Sequence, residues 1–224
     1  MTDAAALEGA YQALADHRWA DAYQGLSGVS ADQPLAGADL ERLAEAAWWT
    51  AHPNECVDAL ERAYAAYSRE GDELRAGSVA LNLAERSSDR LQPAQAAGWF
   101  QRATRLLEGH PESVEYGYLE LARAMTAGDV DEMMQHGSAM LEIGARFGNP
   151  DLQAFGLMCQ GMAHIAQAQV DRGMSLIDEA TVAAVGGELT PRATGIVYCM
   201  TIVVCRDLAD YRRAGEWTEA TTRW

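Results

Sequence analysis

Apolar residues recur every three or four positions through most of the chain, and the strict alternation of a half-buried strand is nearly absent. Valine and isoleucine are sparse except at Ile196-Val197 and Ile202-Val203-Val204. Glycine and proline fall mostly where the periodicity pauses. The pattern predicts helices over Leu7-Ala15, Trp19-Leu26, Asp39-Thr50, Glu55-Arg69, Glu73-Arg86 and Ala94-Leu107. It predicts a second set over Ser113-Thr126, Asp131-Phe147, Asp151-Ala166, Asp171-Val185, Arg192-Leu208 and Tyr211-Arg223. Short turns at Asp16-Arg18, Ala51-Asn54, Ser88-Arg90, Ala127-Asp129, Gln167-Gln169 and Ala209-Asp210 split these into six antiparallel pairs. Pro111, Pro150 and Pro191 fit the first turn of a helix, where a missing N–H costs little. The joint from Gly28 to Gly37 reads as the one flexible hinge.

The second helix of each pair carries small or apolar residues seven apart: Ala22/Val29, Ala59/Ala66, Ala96/Ala103, Met133/Met140, Gly173/Ala180 and Ala214/Thr221. Seven residues return to the same helix face, so these positions form a stripe along which neighbouring helices can approach closely. The stripe advances by 37 residues three times, then by 40 and 41. Helix hairpins at such periods predict an all-α, right-handed superhelical solenoid over 1–224. The last helix, Tyr211-Trp224, ends without a glycine, proline or polar cap. The expectation is a fragment of a longer chain, or one lacking its capping helix, whose exposed end could drive homodimerisation.

Composition narrows the function classes. The 42 alanines suit helices. The 33 acidic residues outnumber the 17 basic ones, all arginine, for a net charge of −16. Such a field disfavours direct contact with nucleic acid or an anionic membrane. No apolar run is long enough to span a bilayer, and Met1-Thr2-Asp3 does not begin a secretory leader. Cys56, Cys159, Cys199 and Cys205 have neither metal-ligand spacing nor the density of a disulfide framework. A cytoplasmic bacterial protein with reduced thiols is expected.

No catalytic or nucleotide-binding fingerprint occurs. His110 and Glu112 flank a proline and read as a helix start rather than a metal pair. Cys159 and His164 stand five apart, off a common helix face, and read as core residues rather than a nucleophile and base. Asp129, Asp131 and Glu132 suit a solvated helix N-terminus. No cofactor and no metal are expected. An enzyme would have to assemble its site from these scattered groups.

Two blocks carry a family resemblance. Leu43-Ala44-Glu45-Ala46-Ala47-Trp48-Trp49 precedes Ala59-Leu60-Glu61-Arg62-Ala63-Tyr64-Ala65-Ala66-Tyr67. Farther along, Val197-Tyr198-Cys199 precedes Leu208-Ala209-Asp210-Tyr211-Arg212-Arg213-Ala214 and Glu216-Trp217-Thr218-Glu219-Ala220. Together they resemble the tetratricopeptide-type region of large actinobacterial LuxR-family transcriptional regulators. Met133 and Gly173 depart from the alanine usual in that repeat. The resemblance implies a non-enzymatic scaffold or sensor module that engages a protein or another part of its own chain. It also implies that first helices line a concave face.

On that reading the binding-surface candidates are Trp48, Trp49, Tyr116, Tyr118, Glu45, Glu85 and Glu115. The repeat-packing positions are Ala22, Ala59, Ala66, Ala96, Ala103, Met133, Met140, Gly173, Ala180 and Ala214. The expected partner is a protein or peptide segment with an apolar anchor and a basic residue, steered by the acidic field. The alternative is a small-molecule effector in an apolar pocket lined by tryptophan and the methionines between Met125 and Met174.

Overall fold

The computed structural model describes residues 3–32 and 34–223. Among them are twelve α-helices and no strand. They form six antiparallel pairs, the TPR-like arrangement expected of an all-α solenoid. The chain divides into two compact units, Met1–His110 and Pro111–Trp224.

The first unit stacks three pairs: α1 (Asp3–Ala15) with α2 (Trp19–Asp32), α3 (Gly37–Trp49) with α4 (Pro53–Glu70), and α5 (Glu73–Asp89) with α6 (Pro93–Leu107). Leu26, Leu40, Leu43, Leu60, Val79 and Leu83 form its core. The second unit stacks α7 (Val114–Ala124) with α8 (Val130–Phe147), α9 (Pro150–Ala166) with α10 (Val170–Val185), and α11 (Pro191–Asp207) with α12 (Tyr211–Arg223). Met140, Leu152, Phe155, Met158, Ile177 and Val197 fill that core.

One turn design recurs. In five of the six pairs the first helix ends on a single residue of left-handed backbone: His17, Ala51, Leu91, Ala168 or Ala209, with φ between 55° and 61°. The residue after it donates its N–H to a carbonyl five positions back. These bonds run from Arg18 to Ala13, His52 to Ala47, Gln92 to Ser87, Gln169 to His164 and Asp210 to Cys205, at 2.8–2.9 Å. This satisfies a carbonyl that the helix end would leave open and reverses the chain within three residues. The shorter α7 ends differently, and Asp129 starts α8 by accepting from the N–H of Glu132.

Three boundaries differ from the sequence reading. The third turn lies at Arg90-Leu91-Gln92 rather than Ser88-Arg90, because Leu91 takes the left-handed position. Pro111 does not open a helix: Ser113 caps α7 through the N–H of Tyr116 at 3.0 Å. Pro53 and Pro93 instead begin α4 and α6. The supposed hinge is helical as far as Asp32, with Val29 buried in the α2 contact, and Gln33 lies outside the described residues.

Helix contact is closest where α9 meets α10. A Cβ on Gly173 would sit 2.5 Å from the Gly161 carbonyl oxygen, and one on Gly161 would sit 2.8 Å from that of Gly173. Gly173→Ala should therefore force α9 and α10 apart, at a cost of about 1–3 kcal/mol in a denaturant titration. Leu91→Gly should act in the opposite direction. Leu91 is 89% exposed and packs on nothing substantial, yet holds a backbone region that L-residues resist. The glycine variant should gain about 0.5–1 kcal/mol after its greater unfolded-state freedom is allowed for.

Candidate interaction surface

The first helix of the middle pair in unit one, α3, gives one side to the core through Leu40, Leu43, Ala44 and Ala47. Its remaining side carries Glu41, Glu45, Trp48 and Trp49. The adjacent tryptophans diverge. Trp48 is 39% exposed, and the Arg86 guanidinium lies 3.7 Å from its ring centre. Arg86 is buried and pairs with Glu85 at 2.9 Å and Asp89 at 3.0 Å. Trp48 and Glu85 thus belong to one self-contained cation–aromatic–carboxylate group.

Trp49 turns instead toward the neighbouring pair. Its ring stacks on Trp19 at 5.5 Å, and Trp19 stacks on His17 at 5.1 Å. Tyr23 and His52 stack beside the same turns at 4.2 Å. The left-handed turns make these contacts: each places the start of a second helix beside the end of a first helix. Glu45 stands one helical turn before Trp49. Solvent reaches its side chain, yet surrounding protein crowds it enough to push its carboxyl above the usual range, against the opposing pull of His17.

The candidates of unit two fall into separate groups. The Tyr116 hydroxyl accepts from Arg123 at 3.2 Å, and Arg123 also donates to the buried Glu120 at 2.8 Å. His136 lies 2.6 Å from the other Glu120 oxygen, which ties α7 to α8. Tyr118 points to Asp151, and burial and that carboxylate raise its hydroxyl pKa. Asp151 also accepts from the Thr190 N–H at 2.9 Å and hydroxyl at 2.6 Å, pinning the start of α11 to the start of α9. Glu115 is part-buried beside Tyr116.

The seven-residue stripe lies at helix contacts. Ala22, Ala59, Ala66, Ala103, Met140, Gly173 and Ala180 are buried, while Ala96, Met133 and Ala214 are part-buried. On α12 no side chain is fully buried, and Tyr211 is 70% exposed; Trp224 lies outside the described residues. His110 faces Glu73 at 3.1 Å, and Glu112 pairs with Arg146. Among the described residues no cluster of three or more His, Cys, Asp or Glu could hold a metal ion. None of their helices is long and apolar enough to cross a membrane.

A cleft of about 580 Å³ opens beside α10 and the α11–α12 turn, lined by Val170, Asp171, Met174, Asp178, Asp210 and Arg213 among others. It holds one methionine, no tryptophan and three aspartates. The sequence reading does not single out His17, Trp19 or Arg86 as site residues. The adjacency of the two stacked tryptophans depends on which residue takes the left-handed turn, and the periodicity does not encode that.

Cys159 and His164 are both buried, and desolvation pushes the Cys159 thiol up to about 12. Burial also raises Cys56 and Cys205, whereas Cys199 is exposed. Titration of the folded protein with an aromatic disulfide at mildly alkaline pH should therefore modify Cys199 alone. The other three thiols should react only once denaturant is added.

No protein-family model matches the chain, and no curated protein matches it. Solved structures do. A structure of BtubC (BKLC) from P. vanneervenii superposes with a TM-score of 0.56 at 13% identity, over 81% of this chain and 80% of that one. TTC0263, a thermophilic TPR protein in Thermus thermophilus, gives 0.53 at 15% identity, over 99% of this chain and 100% of its own. A putative kinesin light chain of Podosopora anserina with nearly identical TPR-like repeats gives 0.50 at 14% identity, over 83% of this chain and 96% of that one. At these identities the likeness establishes the fold, a TPR-like helical-repeat array.

Proposed function

We propose that the chain is a non-enzymatic protein-interaction module that recognises a protein or peptide segment. The observation that carries this reading is a TPR-like array whose α3 leaves Glu45 exposed and the Trp49 stack partly open to solvent. The groups from which a catalytic site could be built are otherwise engaged: Cys159 and His164 lie in the core, and Glu120 and Asp151 tie helices together. An effector sensor calls for an enclosed apolar pocket, whereas the cleft at α10 is lined by three aspartates. The interaction reading therefore leads.

We propose further that the module works in the bacterial cytoplasm as a scaffold or sensor segment of a LuxR-type regulator. The strings Leu43–Trp49 and Ala59–Tyr67, with the block Leu208–Ala214, support that setting. The net charge of −16 favours a partner segment with basic residues around an apolar anchor.

Crosslinking in the native cell followed by mass spectrometry should identify a protein partner or another segment of the same polypeptide. Association of that partner with the purified chain should slow roughly tenfold from low to physiological salt. A salt-independent rate or an acidic epitope would remove the steering. Substrate turnover by the purified chain would overturn the module reading itself.

A further inference from the structure

Aromatic rings, arginines and carboxylates meet at three places in the molecule. Arg86 lies 3.7 Å over Trp48 and pairs with Glu85 and Asp89. Arg42 lies 4.6 Å over Tyr11 and pairs with Asp39 at 2.8 Å. Arg123 lies 5.7 Å over Tyr116 and pairs with Glu120 at 2.8 Å. In each, one guanidinium reaches both a ring and an acid; Tyr11 also donates directly to Asp39 at 2.6 Å and Tyr116 accepts from Arg123 at 3.2 Å, so the Arg86 group is the one with a guanidinium close over an aromatic face. There the cation lies over the indole while its N–H groups reach the carboxylates of Glu85 and Asp89.

A fourth ring-and-acid pair lacks its arginine. Trp19 stacks with both Trp49 and His17, and Trp49 stays partly open to solvent. Glu45, one turn away on α3, forms no ion pair with an arginine among the described residues. Arg18, the nearest arginine in sequence to Trp19, is held by Asp16 and Asp21. Crowding by the surrounding protein raises the Glu45 carboxyl above its usual range, and the pull of His17 opposes that rise.

We propose that the notch formed by Glu45 and Trp49, backed by Trp19 and His17, receives an arginine side chain from a bound protein segment. The guanidinium stacks on the Trp49 indole and donates to Glu45, as Arg86 does between Trp48 and Glu85. This deepens the interaction reading and rests on it. It also separates the sequence-named candidates, because Trp48 and Glu85 already hold an arginine of their own whereas Trp49 and Glu45 do not. Arginine is favoured over lysine because only the planar fork can stack and pair at once.

The test follows the tryptophan indole N–H resonances of the full chain by NMR during titration with N-acetylarginine amide. N-acetyllysine amide and the uncharged N-acetylcitrulline amide serve as comparison probes. The Trp49 and Trp19 signals should move saturably with arginine, less with lysine and not with citrulline, while Trp99 and Trp217 stay in place. Glu45→Gln changes an exposed side chain and should keep the fold by circular dichroism, yet weaken arginine binding about tenfold. Trp49→Phe should retain part of the affinity, and Trp49→Ala should lose it.

An equal response to citrulline, or arginine binding unaffected by Glu45→Gln, would overturn the notch. If arginine leaves the stack unmoved while a crosslinked partner still binds, the notch fails and the module reading stands. If arginine seats as described and the chain turns over a substrate, the notch stands and the module reading fails.

Discussion

A helix can fold back on its neighbour within three residues only if one residue accepts left-handed backbone. At the five hairpin turns of this chain that residue is not the glycine that would accept it most readily. His17, Ala51, Leu91, Ala168 and Ala209 take the conformation at a cost of about 1–2 kcal/mol each. The return is a backbone bond of 2.8–2.9 Å that satisfies a terminal carbonyl and fixes the direction of the next helix. Where a second helix turns into the next pair, Gly71, Gly148 and Gly187 meet the same demand without strain. Helix contacts, the core and the exposed edge all inherit their register from these turns.

The register explains the aromatic edge. Trp19 is the first residue of α2 and Trp49 the last of α3, so they meet only because the turn after α1 and the end of α3 lie side by side. A shift of one residue in either turn would rotate one of the rings away by roughly 100°. Helix spacing is set by a different device, the small residues. Gly161 and Gly173 bring α9 and α10 close enough for backbone contact, and Thr181 and Thr201 share a buried hydrogen bond of 2.8 Å between α10 and α11. Turns fix direction and small residues fix distance, and a ring stack at the edge requires both.

Much of this is legible in the chain. Apolar periodicity and punctuation give twelve helices in the right order, because amphipathic spacing and helix stops are local properties. The turn expected at Ser88-Arg90 lies two residues later because Leu91 is a poor advertisement for left-handed backbone. The Gly28–Gly37 joint looks loose by composition, but Val29 buries into the helix contact and holds α2 together as far as Asp32. At the surface, Trp48 and Trp49 are indistinguishable in sequence. What separates them is a non-local neighbour, Arg86 for one and Trp19 for the other, and no period or motif carries that information.

Charge alone cannot locate a binding surface here. With 33 acidic residues against 17 arginines, many carboxylates lack an arginine by count, so an unpaired acid does not by itself mark a site. An unpaired acid becomes informative when two further conditions hold. Protein must crowd it, so that its charge is poorly solvated, and a ring must stand where a cation could stack. Glu216 fails because Arg212 pairs with it in open solvent, and Glu73 because His110 faces it. Glu120 is crowded and lies beside Tyr116, but Arg123 already occupies the gap. Glu45 meets both conditions: His17 pulls on it through space, but no arginine pairs with it among the described residues. Recognition in a self-paired surface is expected where an internal pattern is left one member short, because the missing group can then gain what the folded chain has already arranged.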